Sequence, residues 1–262
     1  MSSGVIAWLT DFGTRDAYVG IMKGVALGIH PGVRFIDLTH DVPPQAVAVG
    51  ALVLRSAVPY LPDGTVYCAV VDPGVGSARQ AVAVSTDRAI LVGPDNGLLT
   101  PAAEALGVRA VHAIENAALC RPTVGHTFHG RDVFAPVAAH LARGAEIASV
   151  GPALLGLQPA ALPAPVVEAH AVRGEVIYVD RFGNLLTNIS AEALGAFRTD
   201  TLSVRVAGMA TAPLRPAYAG VGPNELVAVI SSWGTVEIAV RDGDAAQRLR
   251  AGIGTTVTVA AE

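Results

Sequence analysis

Two patterns of apolar spacing divide this 262-residue chain. In its first part, short and wholly apolar runs alternate with stretches of helical spacing. Val5 to Leu9 reads as a buried strand that ends in Thr10-Asp11-Phe12-Gly13. Asp16 to Ile29 has helical periodicity, with Gly20, Gly24 and Gly28 on one face. Glycines at that spacing weaken a helix and imply an element packed very close to them. Val33 to Leu38 reads as a strand ending in Thr39-His40-Asp41, Gln45 to Val58 as a helix, and Val66 to Val71 as a third strand. Ala81 to Val84 and Ala89 to Val92 are two more, the latter running into the turn Pro94-Asp95-Asn96-Gly97. Thr100 as N-cap, Pro101 and Glu104 open a helix to about Leu106. Asp132 to Arg143 is a further helix, with Val133, Phe134, Val137 and Leu141 inward. Strands alternating with helices predict an α/β domain with a largely parallel central sheet.

From Gly151 to Pro165 the chain turns to Pro, Ala and Leu, the composition of an extended linker. Beyond it the pattern is mostly β. Glu175 to Val179, Leu185 to Ile189, Thr201 to Val206, Leu226 to Ile230, Val236 to Val240 and Thr255 to Val259 are short runs separated by turns. They predict a smaller β-sandwich or β-barrel-like C-terminal domain. The expected organisation is an N-terminal domain over 1–155, a linker over 156–170 and a C-terminal domain over 171–262.

Hydrophobic residues make up 52% of the chain and charged ones only 15%, which raises the question of a membrane protein. The run Ala46 to Leu54 is broken by Gly50 and stopped by Arg55, well short of the roughly 18 to 20 residues a span needs. Val5 to Leu9 is too short for a secretory h-region and no basic residue precedes it, so a cytoplasmic location is expected. Two cysteines, Cys68 and Cys120, form no disulfide framework. A net charge of -4 offers no basic footprint for nucleic acid. So sparse a charged surface predicts burial between subunits, hence a homo-oligomer.

Candidate chemistry sits in the loops. In VVDPGVGSAR, Val70 to Arg79, Asp72 stands where a strand stops, and Pro73, Gly74 and Gly76 force a tight loop. Arg79 leaves its far side, either as a structural partner of Asp72 or aimed with it at one point. A second loop, TFHGRD from Thr127 to Asp132, places His129 between an aromatic residue and a glycine. Three strand ends carry acids, Asp11, Asp37 and Asp72, where open α/β sheets bind ligands. Asp11 suits two ribose hydroxyls or a helix N-cap. GVGSAR is not GxGxxG, and neither a P-loop nor a G-x-S-x-G elbow occurs. His126, His129 and Asp132 have a conceivable metal spacing but lack a third convincing ligand. In the second domain, Asp180-Arg181-Phe182-Gly183-Asn184 and Ser231-Ser232-Trp233-Gly234 read as β-turns, or as the stacking face and donors of a purine or amino-acid pocket.

Taken together, TDFG (Thr10 to Gly13), VG-x-MKG (Val19 to Gly24), VDPGVG (Val71 to Gly76), PDNG (Pro94 to Gly97), TFHGRD (Thr127 to Asp132) and D-x-FGN-x-x-TN (Asp180 to Asn188) resemble the S-adenosyl-L-methionine (SAM) hydrolases. These are also called SAM hydroxide adenosyltransferases and are relatives of the fluorinase and chlorinase. The resemblance runs over nearly the full chain. It implies an α/β domain joined to a β-barrel-like domain, assembled as a homotrimer with SAM at subunit boundaries. It implies hydrolysis of SAM to adenosine and L-methionine by water attacking ribose C5′, with no cofactor and no metal. Asp72, Arg79 and His129 fall on the family's catalytic Asp-Arg-His set. By the same resemblance Asp11 binds the ribose diol, Asp180 and Ser232 the methionine end and Asn184 the adenine, with Phe182 and Tyr218 around the base. Trp233 stands where some relatives have Arg. Within the set, either His129 is the general base with Asp72 orienting the water, or Arg79 holds Asp72 ionised as the acceptor. The fluorinase has Tyr at the Asp72 position and Ser at the Gly130 position, and the chlorinase also replaces the Asp with Tyr, so the set here favours water over halide. A chlorinase-like halide transferase and a non-catalytic SAM or adenosine binder are the alternatives.

Overall fold

A computed structural model of the chain describes residues 3–195, 202–208 and 210–261, which divide into two compact units, Met1–Ala161 and Leu162–Glu262. The first is built on a seven-stranded sheet. Its strands are β1 (Val5–Thr10), β2 (Arg34–Thr39), β3 (Val66–Val70), β4 (Ala81–Thr86), β5 (Ile90–Pro94), β6 (Val108–Ala113) and β7 (Ala153–Leu154), in the order β2-β1-β3-β5-β4-β6-β7. β2, β1, β3 and β5 run parallel, and β4, β6 and β7 extend the sheet antiparallel. The parallel half carries the loops of interest. Its strands β1 and β3 are buried at every position, as strands covered on both faces must be.

Helices α1 (Tyr18–Ile29) and α4 (Ala135–Ala142) pack together, while α2 (Val47–Ala57) packs with α3 (Thr100–Ala105). Because Cβ direction alternates along a strand, Ile6 and Trp8 join the α1 and α4 side chains in one cluster, and Leu9 lies against Gly50 of α2. Each large side chain buried in this way contributes about 1.5–3 kcal/mol. Cys68 is buried there, Cys120 is half-buried beside it, and both are free thiols.

Several expectations are corrected. β6 was not expected, since VRAVHA places Arg and His in alternation and only the neighbouring strands recruit it. Thr100 is no N-cap: its hydroxyl donates to the Gln158 carbonyl at 2.6 Å, and Leu99 takes the cap position. Gln158 N in turn donates to Asp95 at 2.8 Å, so this Pro/Ala/Leu segment is extended but tied down. The helix expected over Asp132 to Arg143 starts inside a π-helical turn, Gly130–Phe134, and is α-helical over Ala135–Ala142. Gly20, Gly24 and Gly28 are exposed, and among the described residues nothing beyond their own helix lies within 4 Å of where their Cβ atoms would stand.

The second unit is antiparallel. Its strands are β8 (Val166–Val167), β9 (Ala171–Val179), β10 (Leu185–Ser190), β11 (Leu202–Val206), β12 (Ala210–Pro213), β13 (Leu226–Ile230), β14 (Thr235–Val240) and β15 (Thr256–Ala261). The order is β12-β11-β15-β9-β10-β14-β13, with β8 paired to β9. A bridge between Leu214 and Ala228 draws the β12 end toward β13, making the sheet barrel-like around Val176, Leu185, Val204, Ile238 and Val257. Thr201, expected to open β11, lies outside the described residues. Among the described residues no helix is long and apolar enough to cross a membrane.

Candidate active site

In the first unit the loop after β3 holds Asp72 and Arg79 against each other. Val75 N donates to the Asp72 carbonyl at 3.2 Å, and Ser77 N to that of Gly74 at 3.0 Å. The Asn96 amide clamps the Val71 carbonyl at 2.9 Å, which explains the turn chemistry of PDNG. Gly76 has φ +77°, and a Cβ there would lie 2.5 Å from the His126 carbonyl oxygen, so only glycine lets this loop meet the one that carries His129.

Arg79 Nε donates to both Asp72 oxygens at 2.8 and 3.0 Å, and Nη2 donates to Oδ2 at 2.5 Å. The two side chains are only 5% and 10% exposed, so removing either partner strands a buried charge at a cost of about 3–5 kcal/mol. The same guanidinium stacks 5.2 Å from the Phe134 ring centroid and reaches His129 Nδ1 at 2.7 Å. A guanidinium has no acceptor. Nδ1 is therefore the acceptor, and the neutral ring carries its proton on Nε2. Desolvation, reinforced by the Arg79 charge, moves the His129 pKa down.

His129 immediately precedes the π-helical turn, whose Asp132 is fully buried. Asp132 takes hydrogen bonds from Arg131 Nε at 2.7 Å and Nη2 at 2.9 Å, and from Gly125 N at 3.0 Å. That pairing lowers its pKa and ties down the approach to His129. Asp132 is thus spent as a loop anchor, and among the described residues no three His, Cys, Asp or Glu side chains are arranged to hold a metal. A Cβ at Gly130 would come 3.0 Å from Met22 Sδ and 3.1 Å from Phe128, so a serine there requires its neighbours to give way.

Asp11 does not cap α1, whose N-cap is Ala17. Its Oδ2 accepts from Gln45 N at 2.8 Å, and Gln45 adopts φ +65°. The turn bearing Asp11 is fixed by a chain of hydrogen bonds. Phe12 N donates to Thr10 Oγ1 at 3.3 Å, and the same oxygen is hydrogen-bonded to His40 Nδ1 at 2.9 Å. His40 Nε2 then donates to Asp37 Oδ1 at 3.1 Å, and Lys23 Nζ holds Oδ2 at 2.7 Å. Asp37 is an anchor here rather than a third free acid, and His40, buried and unforeseen, is its link to the turn.

In the second unit Asp180, Phe182, Asn184, Tyr218 and Ser232 line one cleft of about 1030 Å³. Asp180 Oδ1 accepts from Phe182 N at 2.8 Å and Asn184 N at 2.9 Å, and Oδ2 from the Asn184 amide at 3.0 Å. Its carboxylate is held by its own turn, and among the described residues no donor reaches the Asn184 side-chain oxygen Oδ1. Phe182 is 74% exposed, while Trp233 stacks on Tyr178 with centroids 5.2 Å apart. Tyr218 Oη donates to Glu237 Oε1 at 2.6 Å. Glu237 was not foreseen, because between Val236 and Ile238 it reads as an ordinary outward position of an alternating strand.

The family model for the SAM hydroxide adenosyltransferase N-terminal domain matches residues 6–151, and that for the C-terminal domain matches residues 174–258. A Salinispora tropica protein named (R)-S-adenosyl-L-methionine hydrolase is 45% identical over 93% of each chain. A fluorinase from an Actinoplanes species is 31% identical over 98% of each. The crystal structure of an uncharacterized conserved protein from Thermotoga maritima superposes with TM-score 0.92 at 41% identity, covering 97% of this chain and 99% of that one. With both family domains matched in order and a fold shared along its length, the chain belongs to the SAM hydroxide adenosyltransferase family.

Proposed function

We propose that the protein hydrolyses SAM to adenosine and L-methionine by in-line displacement at ribose C5′. The observation that carries this reading is the preassembled Asp72, Arg79 and His129 cluster, on a chain 45% identical to a protein named for that activity. Water oxygen bonds to C5′, the C5′–S bond breaks with its electron pair on sulfur, and methionine leaves as a neutral thioether. The leaving group needs no acid, so the demand falls on the water. Full ionisation at neutral pH means lowering its pKa from 15.7 to about 7, roughly 12 kcal/mol, beyond one guanidinium. Proton loss concerted with attack avoids that state.

The Nδ1 lone pair of His129 is occupied by Arg79, which argues against His129 as the base. In this mechanism Asp72 takes the proton, Arg79 fixes the carboxylate, and His129 Nε2–H steadies the attacking oxygen. Asp11 holds the ribose diol through the oxygen that Gln45 leaves open. Asn184, Phe182 and Tyr218 receive the adenine, and Asp180 and Ser232 lie toward the methionine end. The reaction requires no metal or cofactor.

We also infer a homotrimer with SAM at subunit boundaries. The exposed α1 face supports it, since Gly20, Gly24 and Gly28 lie there with Tyr18, Ile21 and Leu27, a surface shaped for close approach by a second copy. Free thiols fit a cytoplasmic protein. Incubation with SAM, followed by mass spectrometry, is expected to yield adenosine and methionine in equal amounts. A 5′-chloro product in chloride would make the protein a halide transferase, and tight binding without turnover would make it a carrier. Sedimentation is expected to give a trimer; an active monomer overturns that assembly.

A further inference from the structure

Glu237 is 5% exposed, yet it lines the cleft of the second unit instead of the barrel core. Strand alternation explains this: Val236 and Ile238 point into the core, and Glu237 points to the opposite face. Tyr218, arriving from the preceding connection, covers it and donates to Oε1. Among the described residues Oε2 has no hydrogen-bond partner. Burial raises the Glu237 pKa, and the Asp180 charge adds to that rise. Oε2 therefore faces the cleft with no donor among the described residues, and a bound ligand that donates there supplies one.

We propose that Glu237 Oε2 is the cleft's acceptor for an N–H donor of the bound ligand, resting on the SAM reading above. Both oxygens of the nearby Asp180 already accept from its own turn, whereas Glu237 Oε2 accepts from none of the described residues. SAM carries two amines on carbon, the exocyclic amine of adenine and the α-ammonium of methionine, and either supplies the required N–H. A cation relieves the repulsion between the two carboxylates, and a flat amine fits beside the Tyr218 ring.

Calorimetric titration of the intact wild-type protein and Glu237→Met with adenosine, inosine and L-methionine tests this. Glu237→Met keeps the volume and removes both acceptors. A 10- to 100-fold loss of affinity confined to adenosine, with inosine already weak in the wild type, assigns the acceptor to the base. The same loss confined to L-methionine assigns it to the ammonium. Unchanged affinity for both, while the wild type binds them, overturns the proposal with the SAM reading intact. A wild type that neither binds these products nor consumes SAM removes the reading and the proposal with it. Glu237→Leu, which also removes both acceptors, gives the same comparison if the Met variant does not fold.

Discussion

The Asp72 cluster and the second unit's cleft manage buried charge in opposite ways. Around Asp72 the charged groups are paired with one another, Arg79 with Asp72, His129 and Phe134, and Asp132 with Arg131 and Gly125, which in the proposed mechanism leaves His129 Nε2–H to face a reactant. Reorganisation is then small, which suits groups that must steady charge forming during a reaction. The cleft is open, with Phe182 exposed, Ser232 on its rim and one Glu237 oxygen unmet. That suits a region that completes itself with a ligand. The first set should therefore control rate and the second affinity.

The largest expected effect breaks the first set. Asp72→Ala should lower kcat roughly 10²- to 10⁴-fold with SAM affinity little changed, because the lost interaction belongs to the transition state. Single-turnover rates beside SAM dissociation constants check this, and a loss wholly in affinity would erase the contrast. Adding His129→Ala to it should cost little more than either change alone.

Asp11→Ala should behave as the cleft does, although it lies in the first unit. Losing the one charge-assisted hydrogen bond proposed between Asp11 and the ribose should cost about 1.5–3 kcal/mol, roughly a 10- to 100-fold rise in the SAM dissociation constant. A fall in kcat at saturating SAM instead would move Asp11 into the chemistry.

His129→Gln sharpens the assignment within the rigid set. Glutamine can accept from Arg79 through oxygen and donate from nitrogen, so it should recover about 10-fold of the rate lost in His129→Ala if the ring acts as a donor. A general base is not replaced by an amide, and equal rates for the two variants would restore that role.

The smallest effect is in the pH profile. In the proposed mechanism His129 works neutral, and its pKa is lowered, so the proton that would disable it binds only below the ordinary histidine value of 6.5. Rate should hold as pH falls through 6.5 and decline beneath it, with the low-pH limb shifted in His129→Gln. By the same sign, the unfolded chain binds this proton first, so the contribution of His129 to stability falls as pH drops from 6.5 toward its folded pKa. A limb centred at or above 6.5 would contradict the Arg79 contact.

Much of this was legible in the chain. β1, β3, β10, β13 and β14 announce themselves as apolar runs between turns, because burial on both faces or alternation on one is a local pattern. The motif residues also stand out, since Asp72 and Arg79 are seven positions apart across a glycine-rich turn that can only bring them together.

What the linear chain does not determine is how a polar group spends its bonds. The His129 tautomer depends on an arginine 50 positions away, and Asp37 becomes an anchor only when Lys23 and His40 converge on it. Glu237 is buried because Tyr218, 19 positions earlier, folds over it. Propensity and periodicity are sums over neighbours in sequence. Protonation and free acceptors are set by neighbours in space, and only tertiary structure supplies those.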